Sequence, residues 1–319
     1  MNKLIHVAVG VIFGPDGRVL IAKRPQSAHQ GGLWEFPGGK VEAGESVELA
    51  LTRELQEELS IFVTSCKPLI QIRHHYPDKS VLLDVYKVLH FTGVPRGAEG
   101  QPTKWVSSHE LTQYEFPAAN KPIITATSLP ERYLITGQFS DEADLLNRLD
   151  SALYRGIRLA QLRLQDIELS KNKMLLARIF SIVEKYSARL ILNTDIYSFN
   201  KILEMFPVTN LGLHLNRHQA AAITTRPVPD NYLFGVSCHD EQEIEHAQHI
   251  GADYLLLSPV KVTRSHPSAA PLGWEKFKQW VELANVPVYA LGGVDEGDLE
   301  MAALSGAQGI AGISAWWSN

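Results

Sequence analysis

Along the chain the spacing of apolar residues changes character near residue 128. Before it, β-branched and aliphatic residues crowd into 4–13 and 18–24 on either side of Gly14-Pro15-Asp16-Gly17, which predicts a β-hairpin. Runs at 67–75 and 81–92, around Tyr76-Pro77-Asp78, predict two further strands. Between the two pairs the period lengthens. Val47, Leu51, Leu55 and Leu59 fall at every fourth position with no Pro or Gly among them, predicting a helix from about Ser46 to Leu59. A short helix to about Thr127 follows Pro122, and Ser128-Leu129-Pro130-Glu131 reads as a linker.

Beyond the linker, short apolar stretches alternate with amphipathic ones. Strands fit 133–136, 159–164, 189–193, 211–215, 233–237, 254–260, 288–292 and 309–314; helices fit 141–154, 171–186, 241–249, 274–284 and 298–304. Eight buried-looking strands, most of them followed by a helix, predict a (β/α)8 barrel over 132–319. Its last helix is nearly absent, since only Ala315 to Asn319 remain, and Trp316 and Trp317 are expected over the barrel floor, against the other domain or at a partner surface.

Chemistry enters on the helix at 46–59. Glu54, Glu57 and Glu58 stand at i, i+3 and i+4, on one side of the helix within roughly 100°. Like charges so placed repel, by a few tenths of a kcal/mol per exposed pair and more when shielded from water. A hard divalent cation such as Mg²⁺ removes the conflict and leaves coordination positions open for phosphate oxygens.

Composition narrows the setting. With 319 residues and ordinary apolar and charged fractions, two globular domains are expected, 1–128 and 132–319. The net charge of −5 argues against duplex nucleic acid and anionic membrane as partners but is compatible with a free nucleotide. Cys66 and Cys238 lie far apart in different domains, as expected of a cytoplasmic chain without a disulfide framework. The N-terminal apolar run, broken by Gly10 and closed by the turn, reads as strand rather than signal peptide, and no segment is long enough to cross a bilayer. Oligomeric state is not encoded legibly.

From Gly39 five residues lead to Glu45 and seven more to Arg53, followed by Glu54-Leu55-Gln56-Glu57-Glu58. This spacing resembles the Nudix box, with Ser60 standing where that family has Gly. Many helices end in a left-handed residue, a conformation serine adopts at a cost. The flanking Glu35-Phe36-Pro37-Gly38-Gly39-Lys40, Glu99-Gly100-Gln101-Pro102 and Phe116-Pro117-x-Ala119-Asn120-x-Pro122 resemble the MutT-type branch, the 8-oxo-dGTP diphosphatases.

The resemblance implies an α/β/α sandwich with a mixed sheet and Mg²⁺-dependent, or Mn²⁺-dependent, hydrolysis of a nucleoside triphosphate. The reaction would be conversion of 8-oxo-dGTP to monophosphate and pyrophosphate, with attack at the β-phosphorus, keeping oxidised guanine out of replicating DNA. By the same resemblance Glu54 helps activate water, Glu57, Glu58, Glu99 and the Gly38 carbonyl hold metal, and Glu45 with Arg53 braces the loop–helix unit. Arg24, Phe36 and Asn120 form the base pocket, while Lys40 and His29 face phosphates.

Asn120 also has a physical case of its own. Oxidation at C8 turns guanine N7 from an acceptor into an N–H donor beside the O6 acceptor, and an amide offers the complementary pair. Normal guanine would set two acceptors face to face, and each buried polar group left unpaired costs on the order of 1–3 kcal/mol. A lone Asn before Lys-Pro is otherwise an ordinary turn or helix-cap residue.

In the barrel, Ala290-Leu291-Gly292-Gly293-Val294 and Gly312-Ile313-Ser314 follow strands seven and eight, where barrels commonly bind phosphate. With Gln161-x-Arg163, Gly212-Leu213-His214-Leu215, Gly235-Val236-Ser237-x-His239 and Ser258-Pro259-Val260, they resemble thiamine-phosphate synthase and its TenI relatives. This implies a phosphate site at Gln161, Arg163, Gly292, Gly293, Ile313 and Ser314 for a phosphorylated thiamine-pathway ligand. The departures fall on catalysis. Thr194 and Gln219 stand where that family has metal-binding acids, and Gln165 and His266 where it has lysines. A hydrolase carrying a non-catalytic barrel is therefore the leading reading. A pyrophosphohydrolase of thiamine-pathway compounds and a thiamine-related transferase or sensor are the alternatives.

Overall fold

The computed structural model describes residues 4–164, 171–263 and 270–317, so Gln165 and His266 lie outside the described residues. The chain forms two compact units, Met1–Ser128 and Leu129–Asn319.

In the first unit, β1 (Leu4–Ile12), β4 (Gly38–Lys40), β5 (Phe62–His75) and β6 (Ser80–Thr92) form a mixed sheet in the order β4-β1-β6-β5. A second sheet sets β2 (Val19–Lys23) between β3 (Trp34–Glu35) and β7 (Thr103–Val106). The turn after β1 forms as predicted, with one antiparallel bridge from Phe13 to Val19, but the two strands do not continue as a hairpin. β1 is occupied on both edges, antiparallel by β4 and parallel by β6, so β2 is passed to the other sheet. The alternation of β1 divides the interior. Ala8 and Ile12 pack with Leu51, Leu55 and Leu59 of α1 (Val47–Leu59), whereas Val9 and Val11 share a second cluster with Ile123 and Ala126 of α2 (Lys121–Ser128). Helices thus cover both faces of the sheet.

The second unit is a closed parallel barrel: β8 (Arg132–Ile135), β9 (Leu159–Leu162), β10 (Arg189–Asn193), β11 (Leu211–Leu215), β12 (Leu233–Cys238), β13 (Tyr254–Leu257), β14 (Val288–Leu291) and β15 (Gly309–Gly312). Alternate side chains face inward, where Tyr133, Ile135, Leu159, Ile191, Tyr254, Leu256 and Tyr289 fill the lumen. The others pack outward against α3 (Glu142–Tyr154), α4 (Lys173–Lys185), α5 (Ile196–Met205), α6 (Arg217–Ala221), α7 (Glu241–His249), α8 (Gly273–Val281) and α9 (Leu299–Leu304). Among the described residues no helix is long and apolar enough to cross a membrane.

Two further sequence expectations change. The stretch read as a linker is part of the barrel floor: Leu129 is buried with the lumen cluster, the Tyr289 hydroxyl donates to the Pro130 carbonyl (2.6 Å), and Gln308 Nε2 donates to the Leu129 carbonyl (2.8 Å). Trp316 and Trp317 are not on that floor. They join the outer cluster, with Trp317 Nε1 donating to the Gln138 carbonyl (2.8 Å) beyond the opposite end of β8, so the indoles pack on the outside of the barrel.

Candidate active site

Helix α1 is set from both ends. Ser46 Oγ accepts from the Leu49 amide (3.3 Å) at its start, and at its end Ser60 takes the left-handed conformation the box requires (φ 57°, ψ 35°). The last carbonyls find donors in the following loop: Arg96 N to Leu59 O (3.1 Å), and Ala98 N (2.8 Å) and Gln101 Nε2 (2.9 Å) to Glu58 O. That loop carries Glu99, so the helix end and Glu99 are positioned as one piece.

On the other side of the helix lies β4. Gly38 has φ +148°, and a Cβ there would stand 2.1 Å from the Ala8 carbonyl oxygen, so only glycine lets this strand lie against β1. Its amide donates to Glu58 Oε2 (3.2 Å), while Gly39 faces Glu54. Arg53 ties the unit together. Its Nε and Nη2 bind the two oxygens of Glu45 (3.0 Å each), Nη1 binds Glu54 (2.7 Å) and reaches Glu57 (3.5 Å), and Nη2 also donates to the Lys40 carbonyl (3.0 Å). These bonds raise the Arg53 pKa further and lower that of Glu45. Glu57 and the Lys40 side chain are exposed.

Glu58 is the electrostatic outlier. Burial first, then the like charges of Glu35, Glu54 and Glu99, push its pKa up to about 8 against the opposing bond from Gly38. Among the described residues no three His, Cys, Asp or Glu side chains already converge tightly enough to enclose a metal ion, in part because Arg53 draws Glu54 and Glu57 toward itself. The donor set nevertheless fits a hard divalent cation: all donors are oxygen, and the half-buried Glu58 carboxylate, beside Glu35, Glu54 and Glu99, is paired with no side-chain cation among the described residues.

The proposed base pocket is partly assembled. Asn120, at the start of α2, is 9% exposed, and its side-chain amide has no partner among the described residues. Phe36 is a core residue, stacked on Phe116 (centroids 5.4 Å apart), so it offers at most an edge to a ligand. Arg24 donates through Nε to the His29 carbonyl (3.0 Å) and through Nη1 to Glu35. His29 points to the β5–β6 turn, its Nδ1 3.6 Å from Asp78 and its ring edge-on to Tyr76. Glu35 and Tyr76 were not singled out from sequence; an acid inside a short strand was the available signal for the first.

In the barrel, Gly292–Gly293 and Ile313–Ser314 end the paired strands β14 and β15 and therefore lie side by side. Gln161 turns inward instead of to the mouth. Its Oε1 accepts from Tyr133 Oη (2.9 Å), which meets Tyr254 Oη (2.8 Å), then His214 Nδ1 (3.2 Å), whose Nε2 meets Ser237 Oγ (2.8 Å). Arg163 shares backbone bonds with Thr136 Oγ1, and its charge adds to burial in lowering the His214 pKa to about 3. Gln219 is the N3 residue of a capping box, accepting from the Asn216 amide (3.0 Å). It serves the helix, not a metal.

A NUDIX domain model matches residues 8–126, and a thiamine monophosphate synthase model matches residues 132–316, more than half of the chain. The chain belongs to both families. The first domain is 38% identical over 122 residues to 8-oxo-dGTP diphosphatase of Escherichia coli (strain K12), covering 38% of this chain and 95% of that protein. It is 39% identical over 124 residues to CTP pyrophosphohydrolase of the same organism, covering 39% of this chain and 91% of that protein. The thiamine monophosphate synthase domain is 27% identical over 184 residues to thiamine-phosphate synthase of Methanobrevibacter smithii, covering 57% of this chain and 85% of that protein. The NUDIX domain supports a nucleotide pyrophosphohydrolase, an activity for which this family generally uses a divalent metal.

Proposed function

We propose that the NUDIX domain hydrolyses 8-oxo-dGTP to the monophosphate and pyrophosphate with Mg²⁺, or Mn²⁺ in its place, and so keeps the oxidised nucleotide out of DNA synthesis. The observation that carries this reading is half-buried Glu58, set among Glu35, Glu54 and Glu99 against the Gly38–Gly39 strand. Glu57, Glu58, Glu99 and the Gly38 carbonyl would hold the metal, which when bound neutralises phosphate oxygens and acidifies a water. Glu54 accepts the proton of the attacking water, and Arg53 with Glu45 fixes where Glu54 can be. The new P–O bond forms as the bridge to the neighbouring phosphate breaks. Attack at the α- or β-phosphorus gives the same products, and labelled water distinguishes them. Lys40 would meet the phosphates.

Asn120 supports the choice of base, since a shielded amide without a partner complements the N7–H and O6 of 8-oxoguanine. A cytosine nucleotide is the second reading. Cytosine also offers a donor beside an acceptor, N4–H and N3, and the relative named CTP pyrophosphohydrolase matches about as well as the one named 8-oxo-dGTP diphosphatase. The thiamine monophosphate synthase domain, with Thr194 and Gln219 at its former acid positions, is assigned binding of a phosphorylated ligand without turnover. A pyrophosphate-release screen over 8-oxo-dGTP, dGTP, CTP and thiamine-pathway pyrophosphates tests this. Highest kcat/KM on 8-oxo-dGTP, abolished in Glu58→Gln, is expected; preferred turnover of thiamine-pathway pyrophosphates would replace the reading.

A further inference from the structure

Uncharged side chains cross the barrel lumen in one unbroken hydrogen-bond chain, from Ser237 on β12 through His214 on β11, Tyr254 on β13 and Tyr133 on β8 to Gln161 on β9. Gly235 makes the crossing possible. It pairs with His214 on one side and Tyr254 on the other, and a Cβ there would lie 2.0 Å from the Tyr254 ring, so only glycine lets that phenol pass over β12 to the imidazole. Burial keeps both phenols protonated and the imidazole neutral. Each member then brings a fixed number of hydrogens, and the count sets the direction. Gln161 Oε1 only accepts, so Tyr133 donates to it (2.9 Å). Tyr133 then has no hydrogen left for Tyr254, which donates to Tyr133 instead (2.8 Å). Tyr254 in turn has none left for His214, so Nδ1 carries the imidazole proton and donates to Tyr254 (3.2 Å). Nε2 is thereby a bare acceptor, and Ser237 donates its hydroxyl hydrogen to it (2.8 Å).

We infer that Gln161, acting through Tyr133, Tyr254 and His214, is a positioning residue that fixes Ser237 as a hydrogen-bond acceptor at the mouth of the barrel. Gln161 is 2% exposed and anchors the chain, whereas Ser237 is half-buried near the C-terminal end of β12, the end at which barrels take their ligands. With its hydrogen committed to His214 and no other partner among the described residues, Ser237 Oγ offers a ligand lone pairs alone. The part of a ligand lying on β12 therefore carries an N–H or O–H donor; a bare phosphate or carboxylate oxygen finds no hydrogen there. That last step rests on the reading of the barrel as a ligand-binding domain, and the chain itself does not. Turning any one member round leaves a buried polar group unpaired unless every member turns, so the two ends are coupled across the lumen.

The test uses the full chain labelled with nitrogen-15 histidine at pH 7, where long-range proton–nitrogen correlations report which ring nitrogen carries the proton. The His214 signals are the ones missing from His214→Gln. Wild type should show Nδ1 protonated and Nε2 bare, by about tenfold or more. Tyr133→Phe removes one oxygen that does not touch His214. Tyr254 is then left with Nδ1 as its acceptor, so the proton should move to Nε2 and the ratio of the two forms should change by about 100-fold. Gln161→Leu should invert the ratio too, since Tyr133 is left with Tyr254 as its acceptor. Ser237→Ala should leave Nδ1 protonated; a switch there would mean that Ser237 sets the direction and would overturn the inference. An Nε2–H imidazole in wild type would also overturn it, as would a tautomer indifferent to both Tyr133→Phe and Gln161→Leu. If neither of those variants folds, the wild-type tautomer and Gln161→Glu decide, the carboxylate being an acceptor that must keep Nδ1 protonated. A barrel that binds no phosphorylated compound yet switches tautomer would end the ligand reading and leave the relay standing.

Discussion

The carboxylate of Glu54 rests on the α-carbon of Gly39, so closely that a methyl group there would lie 2.1 Å from it. Gly39 is therefore the surface against which the proposed water-activating group is located, while Arg53 holds the same carboxylate from the other side (2.7 Å).

Gly39→Ala should push Glu54 out of place with little effect on the fold, because the obstacle is a side-chain tip and not backbone. Displacing a catalytic group by about 1 Å can cost on the order of 100-fold in rate. We expect kcat on the preferred nucleotide to drop by about that factor with far-ultraviolet circular dichroism unchanged. Activity within a few-fold of wild type would mean that Glu54 does not act from this position.

Ser60 pays a backbone cost that the box glycine avoids. A non-glycine residue in the left-handed region is disfavoured by about 1–2 kcal/mol, and the contact offered in return, Arg96 Nε to Ser60 Oγ at 3.4 Å, is long and exposed. Ser60→Gly should raise stability by about 1 kcal/mol, seen as a higher Tm of the NUDIX domain. A lower Tm would show that the hydroxyl contributes more than its geometry suggests.

Local signals in the sequence survived in the structure, and non-local ones did not. The fourfold spacing of Val47, Leu51, Leu55 and Leu59 and the serine before it gave α1, and the apolar stretches after residue 131 gave every barrel strand, because burial on both faces leaves a continuous apolar run. The 4–24 hairpin failed because the partners of β1 lie about 30 and 75 residues away, a pairing no local pattern reveals. α6 is five residues long, too short for any period to show, although Asn216 and Gln219 spell its capping box. In the candidate site, the spacing of Glu45, Arg53, Glu54 and Glu58 was enough to put these four side chains on one loop–helix unit. The contact of Glu35 with Arg24 was not legible, because it forms only when β2 and β3 pair.

Leu129 is a second case in which the sequence misled. Between two domains it reads as linker; folded, it is 6% exposed and packs into the lumen cluster. Leu129→Ala in the full chain should cost about 2–4 kcal/mol, confined to the barrel's unfolding transition. A barrel cut free at residue 132 should be weakened for the same reason. No loss in barrel stability would return Leu129–Glu131 to the role of a connector.

His214 makes barrel stability depend on pH. It is fully buried between Tyr254 and Ser237, and its pKa is lowered to about 3, against about 6.5 in an unfolded chain. Above pH 6.5 the imidazole is neutral in both states and adds no pH dependence. Between 6.5 and 3 only the unfolded chain takes up the proton, so the folded barrel loses stability as pH falls, by up to about 1.4 kcal/mol per unit. His214→Gln removes the titrating group and leaves an amide able to bond to its neighbours. Hydrogen exchange of the Leu213 and Leu215 amides at pH 7 and pH 5.5, corrected for intrinsic exchange rates, should show the wild-type barrel weakening by about 1 kcal/mol more than the variant. Equal weakening of the two would mean that protonation is absorbed elsewhere and that His214 is not held neutral by its surroundings.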